Sequence, residues 1–566
     1  MLSKREFLQV AVAAAALAGR SGRAGAQRRP SEADLLAIKP VGQVTLLHIA
    51  DLHAQLVPDY FREPALNIGV GDMRGKPPHL TGAEMLSTFG IAPGSPAAYG
   101  LTALDFETLA RDFGRTGGVD RIARVVGAIR SERGPERTLL LDGGDALQGS
   151  YTALATKGGD MVRVLEQLGV AATTGHWEFT LGEDRVSELF GSRSEAGRAK
   201  IDFLASNIAD TDFAEPVFKG TTIYERGGVR IAVIGQAFPY TPIANPRWMM
   251  PRWSFGLREA DLVKRVAAAR ADGADVVVLL SHNGFDVDRK LATRVQGIDV
   301  ILTAHTHDAL PAPVKIGGTL LIASGSHGKF VSRLDLDVRG GRIQDFSHTL
   351  IPILTDAITP DAEMTRLVAE IRAPHTGMLA TELGRTRSTL YRRDTVGGTL
   401  DDLICSAMLE QRDAEISLSP GFRWGPTLLP GQAITWEDVY DATAITYPAC
   451  YRMEMTGETI RDILEDVADN LFNPDPYYQQ GGDMVRTGGM SFALHVDQPI
   501  GRRVHNLRSL KTGTPIDPSR RYVVAGWGSI NQGVEGPPVW DVIASHLKRQ
   551  SEVDVRPGEA VKLVRG

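Results

Sequence analysis

What most constrains this chain is how its apolar runs end. Val44–Ala50 stops at Asp51-Leu52-His53, and Thr138–Leu141 stops at Asp142-Gly143-Gly144-Asp145. Val276–Leu280 stops at Ser281-His282-Asn283-Gly284, and Val300–Leu302 leads into Ala304-His305-Thr306-His307. Gly175-His176-Trp177-Glu178 lies between the second and third of these. β-type runs alternating with helical stretches, among them Gly118–Glu132 and Leu257–Ala271, predict an α/β or layered αββα core. Strands that end in Asp and His place oxygen and nitrogen ligands at one sheet edge, where α/β active sites collect. On an extended chain, side chains two residues apart point the same way. Asp51 and His53, and likewise His305 and His307, are therefore each expected to converge. One such piece is commonplace in a core; five in one order point to a metal centre.

Composition removes other classes. The 566 residues argue for more than one domain. Hydrophobic residues at 43% and charged residues at 23% suit a soluble, packed protein. Lys+Arg 62 against Asp+Glu 68 leaves −6, so no global basic field invites nucleic acid. No charge-free apolar run reaches the ~18 residues of a membrane span. Two cysteines, Cys405 and Cys450, allow at most one disulfide and sit beside no evident base. They read as buried small residues or one bond, not as nucleophiles.

Residues 1–26 read as an export signal. Lys4-Arg5 precedes Phe7–Gly19, apolar apart from Gln9, and Ala24-Gly25-Ala26 offers a cleavage site. Ser3–Leu8 resembles a twin-arginine signal, with Lys4 where its first arginine stands, and Arg20 and Arg23 fit that route. A mature chain from Gln27 working in the periplasm is expected. The domains are placed at 27–357, catalytic, and 381–566, substrate-binding, joined by a linker helix within 358–380. Phe61–Arg115, rich in Gly and Pro and poor in periodicity, reads as an insertion over one face of the first domain. His48 and His79 are taken as hydrogen-bonded core histidines.

Seven candidate ligands divide between two ions. One takes Asp51, His53 and His307; the other takes His176, His282 and His305; Asp145 bridges. Two cations ~3.5–4 Å apart hold a reacting group and acidify a water between them, which suits hydrolysis of a charged tetrahedral oxyacid ester. Asn283 and Glu178 are expected as partners for the second nitrogens of ligating histidines. His327 is placed near the site as a neutral acid. Mixed N/O sites take several divalent ions, so the residues alone do not select the metal.

In order and spacing these motifs resemble the calcineurin-like metallophosphoesterases, and more narrowly the two-domain 5′-nucleotidases. Gly397-Gly-Thr-Leu-Asp-Asp-Leu-Ile404 is similar to the start of that family's C-terminal domain. The resemblance implies a four-layer αββα catalytic domain, a smaller α+β substrate domain, and Asp51, His53, Asp145, His282, His305 and His307 as ligands. The third motif departs from it. His176 stands where nucleotidases carry a ligand asparagine, and Trp177 where they carry a catalytic histidine. Indole has one N–H donor and cannot cycle a proton, so a poor alkoxide leaving group is left without help.

Gly175-His-Trp-Glu-Phe179, Leu418-Ser-Pro-Gly-Phe-Arg-Trp-Gly425, Ala444–Pro448 and Gln480–Met484 resemble the thiosulfohydrolase branch. That resemblance implies a dimanganese hydrolase acting on the S-thiosulfonate of a carrier protein's arm cysteine, releasing sulfate. It leaves a persulfide, which departs as an anion. Asp145, His176, Trp177 and Arg423 are the expected catalytic residues. Arg423, Trp177, Phe422 and Trp424 are the expected substrate contacts, since guanidinium pairs with a sulfonate through parallel hydrogen bonds. The alternatives are a periplasmic 5′-nucleotidase or phosphodiesterase, and an inactive binding relative.

Overall fold

The computed structural model describes residues 29–191, 200–558 and 560–564; the predicted export signal lies outside them. Among the described residues no helix is long and apolar enough to cross a membrane. The chain forms two units. Of the described residues, the first comprises those within 1–59, 81–148 and 155–373, the second those within 60–80, 149–154 and 374–566. The main division, at 373/374, lies within the expected 355–380, and the short segments 60–80 and 149–154 join the second unit besides.

The first unit is built on two six-stranded sheets. In one, Val44–Ile49 pairs in parallel with Thr138–Asp142, which leads on to Ala172–Thr173 and Asp202–Phe203. Phe330–Arg339 and Arg342–Pro352 add antiparallel strands on the other side. In the second sheet, Val229–Gln236, Val276–Ser281, Val300–Thr303 and Thr319–Ala323 run parallel, between the antiparallel edge strands Thr221–Arg226 and Val314–Ile316. Alternate residues of both sheets, such as Leu46, Leu139 and Leu334 with Val233, Val278, Leu302 and Ile322, share one core. The sheets thus pack face to face.

Outer faces carry helices. Glu259–Ala271 lies on Val229–Gln236 and Val276–Ser281, and Phe285–Arg294 lies on Val300–Thr303 and Thr319–Ala323. On the other side, Val119–Arg133 packs with Gly159–Leu168 and Ala362–Arg372, and its Arg133 Nε donates to Thr45 Oγ1 at 2.9 Å. Strands covered on both faces explain the unbroken apolar runs. The fold is the four-layer αββα arrangement.

In the second unit the helix Gly457–Phe472 turns Ile460, Leu464, Ala468 and Phe472 toward Ile416, Leu418, Phe492, Leu494 and Val524. Four residues apart, these side chains form one stripe. Strands Tyr451–Thr456, Arg521–Gly526, Ile416–Ser419 and Arg486–Gly488 form its largest sheet. Cys405 and Cys450 are both buried and free, with burial pushing the Cys450 thiol up to about 11. No bond joins them.

The stretch read as an aperiodic insertion is not uniform. Residues 60–80 group with the second unit, whereas 81–113 group with the first and form the helices Gly82–Phe89, Pro96–Leu101 and Phe106–Phe113.

Candidate metal centre

Every expected ligand emerges just beyond the C-terminal end of a parallel strand, so both sheets contribute loops to one place. The loops hold one another through their backbones. Asp51 N–H donates to Gly144 O at 3.0 Å, and His53 N–H donates to Asp145 O at 2.8 Å. The Asp51 carboxylate accepts from His305 N–H at 3.0 Å, tying the second sheet to the first. The extended geometry expected for Asp51/His53 and His305/His307 is absent. Their φ angles are 51°, 45°, 77° and 58°, all left-handed, as is Asp145 at 55°. Tight turns aim these side chains, and His305 and His307 fall into different groups.

Two four-residue clusters result: Asp51, His53, Asp145 and His307, and Asp145, His176, His282 and His305. In each, the ligand atoms lie within 4.8 Å of one another, and Asp145 belongs to both. Asp145 Oδ2 is 3.1 Å from His282 Nε2, 3.4 Å from His176 Nδ1 and 3.9 Å from His53 Nε2. Its Oδ1 accepts from Trp177 N–H at 2.8 Å. All seven residues are buried.

Electron-rich atoms face one another here. His53 Nδ1 points at Gln148 O, 3.3 Å away, and a carbonyl only accepts, so Nδ1 carries the proton. The bare His53 Nε2 then meets His307 Nε2 at 3.0 Å. His282 Nδ1 points at Gly143 O at 2.6 Å, which turns its Nε2 onto the Asp145 carboxylate at 3.1 Å, where a proton or a cation has to lie between them. A divalent cation resolves the first opposition and would take the proton's place in the second, so the residues fit a binuclear centre.

The ligands share charge unevenly. Burial raises the Asp51 carboxyl well above its ordinary value, with Asp145 adding to it against the pull of His282. Burial acts the same way on Asp145, but His282 and His176 outweigh it and hold that carboxyl well below. Burial lowers the His53 imidazole to about 4 despite Asp145. It would lower His282 too, but Asp145 and Asp51 raise that ring to about 10.

The remaining expected residues divide. Trp177 is 5% exposed, its ring 5.5 Å from that of His176. His327 is buried, with its ring 6.0 Å from that of His53 and its N–H on Asp51 O at 3.0 Å. Glu178 accepts from the N–H groups of Ala146 at 2.8 Å, Leu147 at 3.3 Å and His176 at 2.8 Å. It shapes loops and does not orient a histidine ring. Asn283 Nδ2 donates to Gln236 Oε1 and Asp288 Oδ1, again not to a ring.

The partners of ring nitrogens are instead the carbonyls of Gly143 and Gln148 and the side chain of Asn245, whose Oδ1 is 2.9 Å from His176 Nε2. Sequence reasoning missed all three, together with Phe238, which stacks on His305 with centroids 4.1 Å apart. Two are backbone atoms, which carry no sequence signal. Asn245 and Phe238 lie outside every motif.

In the second unit, Arg423 Nε donates to Asp483 Oδ1 at 3.0 Å and its Nη2 donates to Gly482 O. Phe422 stacks on Trp424 with centroids 4.3 Å apart, and Trp527 meets Phe422 edge-on at 5.4 Å. An anchored guanidinium thus lies between two stacked aromatic residues in sequence.

Comparison with known proteins places this geometry. The model of the calcineurin-like phosphoesterases matches residues 44–309, and that of the 5′-nucleotidase C-terminal domain matches residues 375–543. The rat 5′-nucleotidase is 22% identical over 70% of this chain and 73% of its own length. Protein UshA of Escherichia coli is 23% identical over 76% of this chain and 87% of its own. Among solved structures, the sulfate thiohydrolase SoxB of Thermus thermophilus is 38% identical, with a TM-score of 0.89 over 93% of this chain and 98% of that one. A 5′-nucleotidase precursor of Thermus thermophilus shares the fold at 20% identity, with a TM-score of 0.71 over 92% of this chain and 99% of that one.

Proposed function

This chain belongs to the SoxB family within the calcineurin-like metallophosphoesterases that carry a 5′-nucleotidase C-terminal domain, and from that premise we propose that it is a thiosulfohydrolase. The observation that carries the reading is the third motif. The likeness to SoxB spans nearly both chains, and Trp177 stands where a nucleotidase of this architecture needs a proton-cycling histidine.

The proposed reaction takes a carrier cysteine S-thiosulfonate and water to a cysteine persulfide, sulfate and two protons. The S–S bond to the sulfone sulfur breaks and an S–O bond forms. Two divalent cations, by the resemblance manganese, supply charge stabilisation and acidify water when bound. Asp51, His53 and His307 would hold one, His176, His282 and His305 the other, and Asp145 would serve both. Trp177 N–H holds the Asp145 carboxylate in register through Oδ1, leaving Oδ2 for the centre. The persulfide leaves as an anion, so the indole at 177 costs no proton donor and walls the pocket for the arm. Arg423, fixed by Asp483 and Gly482, pairs with the sulfonate, and Phe422 and Trp424 flank it. His327 stands beside the Asp51/His53 cluster as a neutral donor. The substrate's owner is a SoxYZ-type sulfur carrier presenting a C-terminal-arm cysteine. Export through residues 1–26 puts the encounter in the periplasm.

The test loads the mature protein with manganese and offers it a thiosulfonated carrier cysteine or AMP. Sulfate from the first with almost no phosphate from the second is expected. Fast phosphate without sulfate makes it a nucleotidase; neither product from a two-metal protein makes it an inactive relative.

A further inference from the structure

An imidazole that faces a cation needs its other nitrogen held, because that hold decides which nitrogen is bare. For His53 and His282 the hold is a backbone carbonyl on Nδ1, Gln148 O at 3.3 Å and Gly143 O at 2.6 Å, and both rings turn Nε2 inward. His176 is reversed. Its Nδ1 faces Asp145 Oδ2 at 3.4 Å, and its Nε2 meets Asn245 Oδ1 at 2.9 Å. A carboxamide oxygen only accepts, so Nε2 carries the proton and Nδ1 is bare toward Asp145.

We infer that Asn245 is a positioning residue for the second cation subsite: it fixes His176 in the Nε2–H tautomer and so makes Nδ1 the ligand atom. This rests on the binuclear reading above. Asn245 is itself held. It is 1% exposed, its N–H closes on Thr241 O at 2.9 Å, and Thr241 Oγ1 donates to Phe238 O at 2.8 Å. The Phe238 ring lies 4.2 Å from the His176 ring and 4.1 Å from the His305 ring, centroid to centroid. One short segment therefore supplies the apolar face on which two imidazoles rest and the polar atom that sets the tautomer of one. Backbone carbonyls hold His53 and His282 whatever the side chains are. At His176 one side chain makes the choice.

The experiment is calorimetric titration of the metal-free full chain with manganese alone. The unaltered protein binds two ions per chain. Asn245→Leu is expected to weaken one site by about 10–100-fold and leave the other unchanged. Asn245→Asp keeps an acceptor in place and restores the weakened site. In a His176→Ala background, adding Asn245→Leu changes affinity by less than about twofold, since the two residues act as one unit. The metal-free variant melts within about 2 °C of the unaltered protein, since no core volume is lost. Two tight sites in Asn245→Leu overturn the inference. So does equal weakening of both sites or a large metal-free loss of stability, either of which makes Asn245 merely structural. An unaltered protein that binds fewer than two ions overturns the binuclear reading instead.

Discussion

Asp145 is where the residue scale carries most weight. Its Oδ2 lies within 3.9 Å of three histidine nitrogens, while Trp177 N–H occupies Oδ1. Asp145→Asn keeps the shape but replaces one oxygen by an N–H donor and removes the charge shared by both clusters. Turnover is expected to vanish and manganese affinity to fall at both sites, measured by sulfate release and metal content. Near-normal turnover with two metals bound would sink the assignment. The ligand set was legible because every member but His176 follows the end of an apolar run, so spacing and chemistry reinforce each other. Asn245 was not legible: one asparagine ten residues beyond Gly235 has no periodicity, and only the folded chain brings it to His176. Glu178 was legible as important but misread in role, since a carboxylate that accepts three backbone N–H groups is indistinguishable in sequence from one that orients a ring.

At the scale of elements, the loops matter more than the strands. Asp51, His53, Ala54, Asp145, His305, His307 and His327 all have positive φ, a conformation costing L residues about 1–2 kcal/mol each. Strain at this density is what a preassembled site looks like. Gly143 shows the crowding: a Cβ there would lie 2.8 Å from Ala304 Cβ, 2.9 Å from Ala50 Cβ and 3.1 Å from His48 Nε2. Gly143→Ala is therefore expected to destabilise the metal-free protein by about 1–3 kcal/mol. It also displaces the carbonyl that holds His282. Gly127, exposed in the helix Val119–Arg133 with nothing near its missing Cβ, is the control, and Gly127→Ala there is neutral or gains up to about 1 kcal/mol. Thermal melting of both variants decides it, and equal melting removes the packing argument. Pattern reading found the parallel strands because burial on both faces leaves unbroken apolar runs. It missed the helices within 81–113 because Gly90, Pro96 and Gly114 read as loop chemistry although they cap or open those helices. The apolar spacing Phe106, Leu109, Ala110, Phe113 was there to be read.

Across the whole molecule, a polar thread runs through the apolar core between the sheets. His48 shares the inward face of Leu46, and its Nδ1 meets Ser324 Oγ at 2.6 Å. Ser324 donates to Ser332 Oγ at 2.8 Å, which lies 3.3 Å from His348 Nε2. The thread links the strand that precedes Asp51 to the two antiparallel strands beside it. Taking His48 for a hydrogen-bonded core residue was possible from sequence; its partners were not, because they come from strands nearly three hundred residues away. Burial pushes the His48 imidazole down to about 3, with His348 adding to it, and burial pushes His348 down to about 4. As pH falls through the ordinary value of 6.5, the unfolded chain protonates both rings while the folded core keeps them neutral. The unfolded state then binds more protons, so stability is fully present above about pH 6.5 and is lost as pH falls toward 4. His348 alone accounts for a loss on the order of 2–3 kcal/mol across that window. His348→Gln keeps a partner for Ser332 and does not titrate, so the metal-free variant should show a shallower fall in melting temperature between pH 6.5 and pH 4.5 than the unaltered chain. Parallel curves would mean that His348 is charged in the folded core, and that the thread rather than burial governs its proton.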